Sequence, residues 1–190
     1  MASQTALPSV ARPVSLAHVV LKTPPEKFDA MRAYYKTFLD AEPAFENPYL
    51  CFLRYDEEHH RIGIVALPGT TPKPPGAAGL AHVAFTFATL KDLLLAYQQR
   101  KAHGILPSWC VNHGVTTSIY YTDPDGNEIE TQVDNFDTPA EADKFLTSEE
   151  FAINPIGTDF DVEDLICRLE SGVPETELKT RVEIGPRMVF

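Results

Sequence analysis

The residues best suited to chemistry are a hairpin with two carboxylates and a set of six histidines. Tyr120-Tyr121-Thr122 suits the end of a strand, Pro124-Asp125-Gly126-Asn127 suits a tight turn, and a second strand follows through Glu130. Proline presets φ, and glycine and asparagine tolerate positive φ, so the turn is encoded locally. Tyr120 and Glu130 can then face one concavity from adjacent strands. Taken alone, the hairpin reads as a surface feature with Glu128 and Glu130 solvated; histidine partners would change that. His18 and His82 occupy the same tetrapeptide, Leu16-Ala17-His18-Val19 and Leu80-Ala81-His82-Val83. One histidine in an apolar strand is ordinarily a satisfied core residue. Two at equivalent places of a duplication can be brought together by pseudo-twofold packing. With Glu130 they make two imidazoles and a carboxylate, a set that leaves coordination positions open and is typical of non-haem ferrous sites that take O2 and substrate together.

The elements that must position these groups also repeat. Leu16–Leu21 reads as a buried strand in which His18 points away from the helix-packed face. Pro24 and Pro25 open a helix that runs to about Asp40, with Phe28, Met31, Tyr35, Phe38 and Leu39 at helical spacing. Pro43 ends that unit, and strands follow at Tyr49–Tyr55 and His59–Leu67. The Pro-rich stretch 69–79 is a loop. The second pass has Leu80–Val83, a helix over Leu90–His103 burying Leu90, Leu93, Leu94 and Tyr97, and strands at Ile105–Val111, Val115–Thr122 and Asn127–Val133. The tetrapeptide, the helix and the terminating prolines Pro43 and Pro107 share one offset, which points to a duplicated strand-helix-strand-strand-strand unit. The expected class is α+β. The repeat gives two such modules, about 14–68 and 79–135.

Beyond Val133 the chain changes character. Thr138 and Glu141 form a capping box at a helix start, Asn154-Pro155-Ile156-Gly157 breaks the chain, and Asp161–Ser171 is a short helix burying Val162, Leu165, Ile166 and Leu169. Residues 172–190 read as extended. This extension, 136–190, is too thin in apolar residues to fold alone and is expected to lie on the main body or on a second subunit.

Composition narrows the partners. A chain of 190 residues with 44% hydrophobic residues supports a sizeable core, and a net charge of −11 argues against nucleic acid and anionic membranes as partners. No apolar run is long enough to span a bilayer. Met1–Pro13 lacks the basic and apolar segments of a secretory signal and reads as a loose arm. Cys51, Cys110 and Cys167 are too few and too scattered for a disulfide framework, which fits a cytoplasmic protein with free thiols.

The duplicated unit, the two Leu-Ala-His-Val strands and Tyr120…Asp123-Pro124-Asp125-Gly126-Asn127…Glu130 resemble the vicinal-oxygen-chelate superfamily over roughly residues 14–135. Within it the chain looks like the type I extradiol ring-cleaving dioxygenases. The resemblance implies a domain over 14–135 in which the two modules form a cupped mixed sheet around a metal site, and Fe(II) there, with Mn(II), Zn(II) or Ni(II) as alternatives, held by His18, His82 and Glu130. It also implies a catechol-type aromatic diol and O2 as substrates. His60, in Glu58-His59-His60-Arg61, matches that group's acid/base histidine, and Tyr120 matches its active-site tyrosine. A further active-site histidine expected near residue 111 is Val111 here, with His113 close enough to substitute. His59 and His103 read as solvated. Glu128 shares parity with Glu130, but the motif favours Glu130 as the ligand. Glyoxalase I has a further carboxylate from the first repeat. Its place falls at Ala66 here, and the strand around it has no glutamate, which leans towards a dioxygenase. The competing expectations are a non-oxidative metal-dependent lyase or isomerase with the same ligands, and a metal-free binding protein. Single module pairs of this superfamily often associate, so a homodimer is expected.

Overall fold

The computed structural model describes residues 10–74 and 76–188, so the arm expected over Met1–Pro13 lies largely outside the described residues. The first module contains β1 (Val19–Thr23), α1 (Phe28–Leu39), β2 (Glu42–Glu46), β3 (Leu50–Arg54) and β4 (Ile62–Ala66). The second contains β5 (His82–Thr86), α2 (Leu90–Ala102), β6 (Trp109–Asn112), β7 (Thr116–Thr122) and β8 (Glu128–Asp134). Each module therefore reads βαβββ and builds its own mixed sheet. The first and last strands pair in parallel, β1 with β4 and β5 with β8, and the other pairs are antiparallel.

Strand ends differ from the sequence reading in several places, and at two of them the reason is visible. The first strand begins at Val19 rather than Leu16, because the Arg61 guanidinium takes the carbonyls of Leu16 (3.1 Å) and Ala17 (3.0 Å) in place of a sheet partner. Pro43 does not end the unit. It sits inside β2, a fully exposed edge strand whose register shifts between Pro43 and Phe45. An edge is where a strand tolerates a residue without an N–H, and a bulge absorbs the misfit.

Helical spacing places the apolar faces as expected. Phe28, Met31, Tyr35 and Phe38 of α1 are buried, as are Leu90, Leu93, Leu94 and Tyr97 of α2. Full burial of such side chains contributes roughly 1.5–3 kcal/mol each. Thr89 caps α2 by accepting the Asp92 N–H, and Gly104, at φ 76°, follows its end in the left-handed region that favours glycine. The helices cover one face of the sheets. Leu21, Leu53, Ile62 and Ile64 line it in the first module, and Ile119, Tyr121, Ile129 and Val133 in the second, all in one core. Strand alternation sends Val20 and Phe52, and Tyr120 and Glu130, to the opposite face.

The extension forms α3 (Pro139–Leu146), α4 (Glu149–Ile153), β9 (Thr158–Asp159), α5 (Val162–Glu170) and α6 (Glu175–Leu178). The capping box of Thr138 and Glu141 is present, a feature of about 1 kcal/mol. The described residues 172–188 are not simply extended: α6 is a turn of helix that buries Leu178, and its Glu175 accepts the Leu90 and Lys91 N–H groups at the start of α2. β9 adds a fifth strand to the second sheet, pairing Val111 with Asp159 and Asn112 with Thr158. Gly157 permits that approach, since a Cβ there would sit 2.2 Å from the Asn112 carbonyl oxygen at φ 110°. The buried Arg181 guanidinium secures the extension by donating to the carbonyls of Asn154 (2.8 Å) and Glu150 (3.1 Å). Among the described residues no helix is long and apolar enough to cross a membrane.

Candidate active site

The site begins with the hairpin turn between β7 and β8. The Asp123 carboxylate, 5% exposed, accepts the backbone N–H groups of Asp125 and Asn127 at 2.9 Å each, the Asn127 side-chain amide at 2.8 Å and the Tyr35 hydroxyl at 3.0 Å. Gly126 takes φ 84°, the positive value the turn needs. This buried acid fixes the turn to α1 and sets the register in which Tyr120 stands opposite Glu130.

On the next strand Glu130 lies opposite Ala84, two residues after His82. The His82 Nε2 is 3.0 Å from Glu130 Oε2, and the Glu130 side chain is nearly buried while that of His82 is about one-third exposed. Glu128 is exposed at the strand start, so of the two carboxylates Glu130 is the one held against the imidazole. Among the described residues Glu130 makes no ion pair with lysine or arginine; its close nitrogen partner is the His82 imidazole. A buried carboxylate flanked by an imidazole and a phenol, with no lysine or arginine against it among the described residues, is a donor set that suits a cation.

Tyr120 packs edge-on to the His82 ring at 5.4 Å and stacks on Trp109 at 5.1 Å. His113 Nδ1 donates to the Ile156 carbonyl, so in the neutral ring Nε2 is free to accept the Tyr120 hydroxyl at 3.1 Å. Burial, reinforced by the Glu130 charge, pushes the Tyr120 phenol well above the usual tyrosine range, so it stays protonated. Burial holds His113 below the usual histidine value, partly offset by the Ile156 carbonyl. Trp109 donates its indole N–H to Asp159 at 2.8 Å, and Arg187 pairs with the same carboxylate at 2.8 Å.

The other histidines gather on the first module. The His18 ring stacks on His60 at 4.2 Å, and Phe52 covers the other side of His60 at 4.4 Å. His59 Nδ1 lies 2.5 Å from His60 Nδ1, a contact that requires one of the two nitrogens to carry the proton. Burial lowers the His60 pKa, and His18 and His59 beside it lower it further. His60 precedes β4 rather than standing in it. No hydrogen bond or ring contact among the described residues joins His18 to His82 or Glu130. The group of three candidate ligands whose donor atoms lie within 4.8 Å of one another is instead His18, His59 and His60. The residues singled out by sequence thus form two clusters, His82-Glu130-Tyr120-His113 and His18-His60. A cleft of about 170 Å³ that touches both Leu16–Val19 and Val83–Phe85 runs beside them.

Strand register also corrects the comparison of the repeats. Glu130 pairs with Ala84 and Tyr120, while the residue pairing with Val20 and Phe52 is Gly63. The counterpart of Glu130 is therefore Gly63, not Ala66. The stretch between first and last strands is longer in the second repeat, so one fixed offset drifts. The inference drawn from that position stands, because Gly63 supplies no carboxylate.

Sequence reasoning missed Trp109, Ile156, Asp159 and Arg187. Three of the four come from the extension, and the one signal for them was the Asn154–Gly157 break, which turns the chain onto β6.

A model of the Glyoxalase/Bleomycin resistance protein/Dioxygenase superfamily matches residues 15–131. The chain is 47% identical over 165 residues to biphenyl-2,3-diol 1,2-dioxygenase 2 of Rhodococcus globerulus, covering 86% of each chain. It is also 47% identical over 168 residues to biphenyl-2,3-diol 1,2-dioxygenase 3 of the same organism, covering 87% of each. Among solved structures, a lactoylglutathione lyase from Agrobacterium tumefaciens superposes with a TM-score of 0.52 at 20% identity, over 65% of this chain and 96% of that one. A glyoxalase/dioxygenase from Nostoc punctiforme gives 0.54 at 18% identity, over 68% and 99%. At those identities the structural matches speak for the fold alone. The two βαβββ modules, the hairpin motif and these relatives agree, and the chain belongs to the Glyoxalase/Bleomycin resistance protein/Dioxygenase superfamily.

Proposed function

We infer that the chain is an extradiol ring-cleaving dioxygenase that opens an aromatic ring bearing adjacent hydroxyls and places O2 in the product. The observation that carries this reading is the 47% identity to biphenyl-2,3-diol 1,2-dioxygenase 2, which extends over 86% of the chain. The likeness to a lyase stops at the fold. The reaction needs a metal. We assign Fe(II) as that metal, with His82 and Glu130 as two ligands and His18, from the equivalent place in the first module, as the third. Bound there, the cation would acidify the catechol hydroxyls and offer open positions for both oxygens of the diol and for O2.

The remaining roles belong to the protein. Burial and the neighbouring His18 and His59 favour the neutral form of His60, so its unprotonated ring nitrogen can take a proton from the diol and return it as the ring opens. Phe52 and His18, stacked on its two faces, hold the ring in place. Tyr120 stays protonated and directs its proton to His113 Nε2, which leaves its oxygen lone pairs for a substrate hydroxyl. His113 keeps one tautomer because Ile156 takes its Nδ1–H. Residues 14–135 carry the activity, and 136–190 buttress the second module. Exposed Leu16, Val20 and Leu80 beside the first strands support association of two copies.

The test is O2 uptake by anaerobically purified, iron-loaded protein with biphenyl-2,3-diol and a panel of simpler catechols. O2 consumption with formation of a yellow ring-opened product is expected. Protein that retains Zn²⁺ or Ni²⁺ and consumes no O2 with any catechol would overturn the assignment.

A further inference from the structure

The cluster on the first module has a member with no part in the function proposed above. His59 lies next to His60, exposed, with Nδ1 turned inward to His60 and Nε2 outward, 3.3 Å from the Glu58 carboxylate. Glu58 also accepts the His59 backbone N–H at 2.9 Å, so the carboxylate is held where it can orient the ring. A histidine with one nitrogen facing a shared point and the other bonded to a carboxylate is arranged as metal-binding histidines usually are. His18 and His60 supply two further imidazoles, with donor atoms of all three within 4.8 Å of one another. Phe52 backs His60 at 4.4 Å and limits its freedom. No lysine or arginine pairs with Glu58 among the described residues, so the carboxylate is available to offset a cation's charge.

We propose that His18, His59 and His60 form a second, competing site for a borderline divalent cation such as Zn²⁺. Three neutral imidazoles suit Zn²⁺, Ni²⁺ or Cu²⁺ and lack the carboxylate that the Glu130 site provides. The two sites share His18, so filling one takes a ligand from the other. Occupancy also ties up the imidazole of His60. The site therefore acts as an inhibitory metal switch: excess zinc withdraws His18 from the catalytic centre and His60 from proton transfer. The inhibition rests on the function proposed above; cation binding by the three imidazoles does not.

The experiment separates these two claims. Metal-free protein carrying Glu130→Gln is titrated with Zn²⁺ by calorimetry, and the same is done after adding His59→Ala. The first variant should bind one equivalent, and the second should bind about tenfold or more weaker. Equal affinity in the two variants, or no binding by the first, overturns the proposal. In iron-loaded protein with the native Glu130, His59→Ala should raise the zinc concentration that halves the variant's own zinc-free turnover by about tenfold. Unchanged zinc sensitivity there overturns the switch. A protein with no dioxygenase activity that still passes the calorimetric test would refute the proposed function and leave the binding site standing.

Discussion

The two repeats share a frame and differ in what they hang on it. His18 immediately precedes β1 and His82 opens β5, the equivalent strand, and each first strand runs parallel to the last strand of its module. Around His82 the neighbouring positions are Glu130, Tyr120 and Trp109; the paired positions of the first module are Gly63, Phe52 and Phe45. The second module thus keeps carboxylate and hydroxyl, while the first offers aromatic faces. Packing explains part of the contrast. A Cβ on Gly63 would meet Val20 at 3.2 Å and Phe52 at 3.4 Å, so the first module has closed over the position where the second carries its acid. Duplication supplied two sites of similar geometry, and only the second carries a carboxylate at the position paired with its first strand.

The sharpest way to break this contrast is to remove the acid. Glu130→Gln should lower iron retention by at least about 100-fold, since loss even of a group that only orients a ligand costs 10–100-fold, and turnover should fall with it. Metal analysis after anaerobic dialysis checks this. If the variant keeps its iron, the two modules do not divide the chemistry as described. Next, His60→Phe should retain iron yet slow turnover by about 10²–10⁴-fold, the usual contribution of general acid/base catalysis. Iron loss in that variant would make His60 a ligand and give the first module a larger share of the metal site.

Stability gives a third contrast. Gly63→Glu tries to install the second module's acid in the first, and crowding against Val20 and Phe52 should cost about 1–3 kcal/mol. Thermal unfolding measures that cost; metal analysis should show no additional bound iron. Arg181→Ala removes donors to Asn154 and Glu150, and should destabilise the extension by roughly 1–3 kcal/mol. Because that extension docks on the second module, through β6 and α2, proteolysis should release it first at 154–158. The smallest effect belongs to Tyr120→Phe. It removes one hydrogen bond to His113 and should slow turnover about tenfold with iron content unchanged, whereas Phe52→Tyr should bring no gain.

The sequence revealed the frame because the frame is written in local terms. Helical spacing from Phe28 to Phe38 and from Leu90 to Tyr97, the Asp123–Asn127 turn and the Thr138 cap each depend on near neighbours. The counterpart of Glu130 was misplaced because loops of different length separate the paired strands, and no local pattern records pairing register. β2 was missed because an exposed edge strand with a proline lacks alternation. The support given to His113 by Ile156, and to Trp109 by Asp159, joins segments far apart in sequence, so only tertiary contact reveals it. The same holds for His59, which reads as a solvated residue until His18 and His60 are found beside it.

The most direct measurement is mass spectrometry of the product formed from biphenyl-2,3-diol under ¹⁸O2 by iron-loaded protein. A ring-opened product with both labelled oxygens is the predicted result. A product with one or no labelled atom, or an isomer of the substrate formed without O2, would contradict the assignment of this chain as a dioxygenase.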